Sequence, residues 1–218
     1  MLGTHIKYVE TRSGSKIPVK VVLGDRNKAL FWDQCVQPYV RKMDRADKNW
    51  NWARMCSWLP PLEMLNGRNT LFLQLLTRRQ NGESFPIGQV FLSLRYPFVP
   101  EEGRECAFLW FLCSTPRSAL QDFGIPADIK LARPLVDMAI QASYQLNLTG
   151  RILLHAVRTN DPLWNQKLFD IYHRECLLLQ FPRRFIFRFV FTRRNDDRLF
   201  FADEQHAINL SRDLNYLR

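Results

Sequence analysis

The chain has 218 residues, 46% of them hydrophobic and 13% aromatic, which is enough for a sizeable core and too apolar for an extended disordered chain. No run approaches about 18 consecutive apolar residues, so no membrane-spanning helix is expected; the start Met1-Leu-Gly-Thr-His-Ile-Lys-Tyr8 also lacks the basic-then-apolar profile of a secretory signal. With 31 Lys and Arg against 21 Asp and Glu, the net charge of +10 suits an anionic cofactor, an acidic protein or a nucleic acid as partner, or a plain solvated basic surface.

Residues 17–23 read as a first strand stopped at Gly24. Asp25 is placed to cap a helix over 29–43, with Leu30, Val36 and Val40 among its apolar positions. Residues 44–69 are polar but carry Trp50, Trp52 and Trp58, and are expected to form one or two short helices stopped by Pro60 and Pro61. The apolar run 70–77 predicts a strand. After the turn signal Asn81-Gly82, residues 85–96 return as the second strand of a meander, where Gly88 marks a bulge or a close backbone approach. Residues 106–113 are the most apolar strand and are expected to be buried on both faces.

Residues 114–128, with Pro116, Gly124 and Pro126, read as a loop into a helix over 130–146, whose Leu131, Leu135, Met138, Ala139 and Ala142 recur at helical spacing. A short strand over 151–155 feeds a helix over 165–176. Phe185, Phe187, Phe189 and Phe191 then alternate with Ile186, Arg188, Val190 and Thr192 in a further strand. Asp203 or Glu204 opens a closing helix to about residue 217. The order β-α-(α)-β-β-β-α-β-α-β predicts an α+β fold: a mixed, mostly antiparallel sheet with helices on both faces. A single domain over 1–218 is expected, with its core at about 16–202, a Trp-rich helical insertion at about 44–69 and the closing helix at about 203–217.

Cys35, Cys56, Cys106, Cys113 and Cys176 are odd in number and widely spaced, with no Cys-x-x-Cys pair. Neither a disulfide framework nor a metal site is expected, and reduced thiols point to a cytoplasmic compartment. Nothing near Cys113 or Cys176 marks a lowered pKa, so both read as buried spectators.

Asn165 and Tyr172 lie seven residues apart, close to two helical turns, so they are expected to share one helix face just after a strand end. This strand and helix resemble the acyl-CoA-dependent N-acetyltransferase (GNAT) superfamily, whose usual helix pattern is Asn-x-x-Ala-x-x-x-Tyr-x-x-x-Gly. Leu168 replaces the Ala here and Cys176 the Gly. The element order resembles that fold from about residue 16 to 202. Gly150-Arg-Ile-Leu-Leu-His155 and Leu199-Phe-Phe-Ala-Asp-Glu-Gln205-His-Ala207 are similar to two stretches of a bacterial subgroup, Gly-Arg-Ile-Gly-Leu-His and a Tyr-Phe-Glu ending closed by Glu-Gln-Ala.

The resemblance implies direct transfer of an acyl group from acetyl-CoA to a primary amine acceptor, without a covalent enzyme intermediate. It implies that the strand ending at Leu112 and Cys113 offers backbone groups to the pantetheine arm. It also implies a pyrophosphate held at the following helix start, where orphan N–H groups and the helix dipole favour an anion. The family's Arg/Gln-x-x-Gly-x-Gly/Ala pattern falls on residues 127–132: Ala132 fits it, while Ala127 and Lys130 do not. Lys130, Leu131, Ala132 and Arg133 are the candidate contacts there, the two bases supplying charge. By the same resemblance Asn165 contacts the CoA arm and Tyr172 protonates the departing thiolate, its ordinary pKa of ~10 lying near that of an alkyl thiol. Glu105 and His155 are the candidate general bases, an imidazole being able to titrate near neutrality. The tryptophan-rich segment falls where the family covers its acceptor.

Two other readings stay open. One is a degenerate member of the fold acting as a binding or scaffold module. The other is a basic protein that binds nucleic acid, RNA or DNA, through Arg183, Arg184, Arg188, Arg193, Arg194 and Arg198; the basic surface also suits an anionic protein partner.

Overall fold

The computed structural model describes residues 2–181 and 198–218. Two strands open the chain, β1 (Tyr8–Glu10) and β2 (Lys16–Leu23), followed by helices α1 (Arg26–Cys35), α2 (Gln37–Lys42) and α3 (Trp52–Leu65). A meander comes next, β3 (Thr70–Arg78), β4 (Ser84–Pro97) and β5 (Glu105–Ser114), then α4 (Arg117–Asp122) and α5 (Ala132–Gln145). Strand β6 (Ile152–His155), helix α6 (Pro162–Asp170), strands β7 (Leu179–Gln180) and β8 (Leu199–Ala202) and helix α7 (Glu204–Asp213) follow. The eight described strands lie in one sheet of order β1-β2-β3-β4-β5-β6-β8-β7. Every described pairing is antiparallel except β5 with β6, which α5 connects as a crossover.

Helices cover both faces, and the alternation along β4 shows how. A Cβ on Gly88 would meet Leu135 of α5, whereas the next residue, Gln89, accepts a bond from Gln74, whose amide also reaches the Lys28 carbonyl of α1. Successive strand residues point to opposite faces, so α5 and α1 lie on opposite sides. Helix α5 is more deeply buried than its sequence spacing predicts: every residue from Pro134 to Ser143 is buried. Its polar side chains are paired accordingly. Asp137 takes Arg218 Nη2 at 2.9 Å on both oxygens, and Gln141 donates to Asp137 Oδ1 at 2.9 Å and to Ser211 Oγ at 2.8 Å.

The structure corrects several local expectations. The helix expected over 29–43 begins at Arg26, with the Asp25 carboxylate accepting from Lys28 N, and breaks at Val36 before Pro38. Pro60 and Pro61 do not stop a helix but sit inside α3, which packs against α1. The loop expected over 114–128 holds α4, and β1 was not foreseen. The phenylalanine-rich strand expected over 185–192 lies outside the described residues.

Candidate functional site

Strands β5 and β6 pair only from Ala107 with Ile152 to Leu109 with Leu154. Strand β6 ends at His155, while β5 continues to Ser114, held on its other side by β4. At the divergence β5 carries a bulge. Leu109 opposes Leu92 and Phe111 opposes Phe91, so Trp110 is the extra residue. The two parallel strands therefore open at their C-terminal ends into a crevice of about 450 Å³, counting its solvent-open mouth. Residues 109–112 form one wall, Leu154, His155 and Val157 the other, and Trp50 and Tyr172 enter from neighbouring segments. Arg198 fastens the second wall beyond its strand, its Nε donating to the Ala156 carbonyl at 2.9 Å and its Nη2 to that of Val157.

The bulge also sets which side chains share a face. Trp110 packs on Phe108 and donates from Nε1 to Ser93 Oγ at 2.6 Å. Phe111 lies edge-on to Trp50, with ring centroids 4.9 Å apart, and 6.4 Å from Trp110. Two consecutive aromatic residues thus lie side by side where a regular strand would place them on opposite faces.

Tyr172 reaches the crevice from a π-helical turn, Ile171–Glu175, that follows α6 and closes with Cys176 N donating to the Ile171 carbonyl at 2.8 Å. Such wide turns insert a residue into a helix and are frequent at functional sites. The Tyr172 ring packs against Phe200 at 5.6 Å. Burial first, then the fields of Cys176 and Asp47, push its phenol above the ordinary value, while Arg45 pulls the other way. The hydroxyl consequently keeps its proton throughout the neutral range. Asn165 does not share this position. Its amide is committed to the preceding loop, accepting from Thr159 N at 2.9 Å and donating to the Thr159 carbonyl at 2.9 Å.

Behind Tyr172 lies a buried polar group that the sequence did not announce. Arg45 and Asp47, from the loop before α3, form a two-point ion pair at 3.0 and 2.8 Å. Arg45 Nη1 donates to the Ser114 carbonyl at 2.8 Å, and the Cys113 thiol donates to Asp47 Oδ2 at 2.7 Å. Burial first, and Asp47 second, drive the Cys113 thiol far above its ordinary pKa. It is a neutral donor and not a nucleophile. Only the acidic and basic residues of 44–48 hinted at this cluster, and they read equally well as a solvated loop.

The remaining candidates are scattered. Glu105 starts β5, at the end remote from the crevice, exposed and paired with Arg95 at 3.4 Å. Lys130 lies outside the helix it was expected to begin: its Nζ meets Glu10 Oε2 at 2.9 Å and its N–H donates to the Glu10 carbonyl at 2.8 Å. Leu131 is the α5 N-cap, without a side-chain cap bond. Arg133 pairs with Asp213 at 2.8 Å. The first-turn amides of Ala132 and Arg133 have no intrahelical acceptor, and Pro134 removes the next donor. Trp52 is fully buried in the core and Trp58 is exposed, so of the three tryptophans Trp50 alone reaches the crevice. Apart from Arg198, the arginines proposed for nucleic acid fall outside the described residues. No group of metal-ligating side chains occurs among the described residues, and no described helix is long and apolar enough to cross a membrane.

No protein-family model and no curated protein matches the chain. Solved structures similar to it include an acetyltransferase of the GNAT family from Staphylococcus aureus Mu50, at 11% identity over 85% of this chain and 99% of that one, TM-score 0.48. A tyrosine-to-phenylalanine mutant of KacT is 11% identical over 88% of this chain and 98% of that one, TM-score 0.47. A mutant AtaT toxin bound to the C-terminus of the antitoxin AtaR and acetyl-CoA is 10% identical over 88% and 98%, TM-score 0.43. The strand order, the crossover through α5 and the parallel pair that opens beside a bulge are an α+β arrangement of the kind that the resemblance of the sequence to the GNAT superfamily implies.

Proposed function

We propose that the chain transfers an acyl group from an acyl-CoA thioester directly to a primary amine. The crevice between β5 and β6 with Tyr172 at its wall carries this reading. The described ladder between β5 and β6 stops at Leu109, and the backbone groups of β5 beyond it run along the crevice. They fit the amide-rich pantetheine arm, which can continue the ladder β6 abandons. The Ala132 and Arg133 amides, at the end of the sheet where the parallel strands open, suit its pyrophosphate.

The chemistry then needs little from the protein beyond position. The lone pair of a neutral amine forms a bond to the thioester carbonyl carbon. The C–S bond breaks with its electrons on sulfur, and that sulfur takes the Tyr172 proton. The proton shed by nitrogen leaves through His155 or water and restores the phenol. Tyr172 lines the crevice and its surroundings keep it protonated, so a proton is in place when the thiolate departs. Most of the acceleration comes from holding two reactants in one crevice. A panel of amines assayed for thiol release with acetyl-CoA tests this; silence with every amine, despite measurable CoA binding, would refute it.

One observation favours a second reading, a module of this fold that binds without catalysis. The Lys130 N–H, which would face a pyrophosphate, is taken by the Glu10 carbonyl. Calorimetry separates the two readings: no heat with acetyl-CoA supports the second.

A further inference from the structure

The crevice holds an aromatic wall whose construction exceeds what a pantetheine arm needs. Resting on the acyl-transfer reading, we infer that the acceptor is an amine borne on an aromatic or similarly flat apolar group, an arylalkylamine in class, seated against Trp50 and Phe111. The bulge at Trp110 turns two successive aromatic side chains to one face of the sheet, and Trp50 arrives there from a different segment. Trp50 is fixed before any ligand enters. Its ring is edge-on to Phe111 at 4.9 Å and 78°, and edge-on to Trp52 at 5.8 Å and 70°. Trp52 is itself stacked on Phe72 and fully buried. A rigid aromatic wall accepts another ring in tilted or offset geometry with little ordering cost.

Charge points the same way. The chain carries +10 overall, which disfavours the approach of a polycation such as spermidine.

The test is a competition among acceptors on the intact chain: phenethylamine and tryptamine against butylamine, spermidine and a lysine peptide, with acetyl-CoA as donor. The aryl amines are expected to exceed butylamine in kcat/KM by about 10-fold, the scale of one good ring–ring contact. Trp50→Ala should cut the preference for phenethylamine over butylamine in kcat/KM by about that factor, whatever it does to both amines in common. Trp50→Leu, which removes the ring but keeps a larger apolar side chain than alanine, should do the same and guards against misfolding of the alanine variant. Best turnover of spermidine or the peptide, or an equal loss for both amines on substitution, would overturn the inference while leaving acyl transfer intact. If no amine is acylated, the transfer reading fails instead. Calorimetry with tryptamine and a CoA thioether then decides the wall's preference: heat with tryptamine and none with spermidine sustains it, and any other pattern ends it.

Discussion

Asp47 Oδ2 lies 2.7 Å from the Cys113 sulfur and 2.8 Å from Arg45 Nη2, so one buried carboxylate oxygen joins the loop before α3 to the C-terminal end of β5. This junction carries Trp50 to the crevice. Removing one member of a buried ion pair leaves the other charge uncompensated, at a cost of about 3–5 kcal/mol. Asp47→Ala should therefore lower unfolding stability on that scale in urea titration. Arg45→Met with Asp47→Leu should be milder than Asp47→Ala alone, because no orphan charge remains. A double variant as unstable as the single one would show that the pair contributes by some other route.

Gly88 faces α5 so closely that a Cβ would stand 2.6 Å from Leu135 Cδ2. Gly88→Ala should cost about 1–3 kcal/mol through overpacking. Adding Leu135→Val, which trims the opposing side chain, should recover part of the loss. If the pair is no more stable than the glycine variant alone, the contact is not the cause.

The sequence made the meander, the crossover helix and strand 151–155 legible because each is a long apolar run or a helical repeat between turn signals. It also gave the bulge-or-contact reading of Gly88; both occur, since the β3–β4 register shifts between Leu75 and Leu76, opposite Gly88 and Pro86. It did not give the π turn at Tyr172, because the extra residue leaves no trace in composition. Nor did it give the bonds that tie the Asn165 amide to Thr159 while Tyr172 lines the crevice. Nor did it give Arg45 and Asp47, whose partner Cys113 is 66 residues from Asp47. Such long-range pairing of polar side chains is invisible to any local pattern.

Alkali should weaken the fold. Burial is the first cause raising the Cys56 thiol to about 11 and the Cys176 thiol to about 12, from an ordinary 9.0. Between pH 9.0 and those values the folded chain keeps protons that the unfolded chain has released. Stability is then complete below that window and falls as pH rises through it, by at most ~1.4 kcal/mol per pH unit for each such thiol. Urea midpoints at pH 8 and pH 10 should differ, and Cys176→Ala should shrink the difference whatever it does to the absolute midpoint. An unchanged difference would remove Cys176 from the account.

Tyr172→Phe tests the acid role most directly. The ring still packs against Phe200 at its 5.6 Å spacing, and only the hydroxyl is lost. A positioned proton donor is worth about 10²–10⁴-fold, so kcat for thiol release should drop by at least about 100-fold while the Kd for acetyl-CoA stays within about two-fold. The loss should shrink as the leaving thiol becomes more acidic, because a thiolate that departs unaided needs no proton. Comparing acetyl-CoA with an acetyl thioester of a more acidic aryl thiol reads this dependence. Equal losses for both donors would mean that Tyr172 shapes the crevice without giving up its proton.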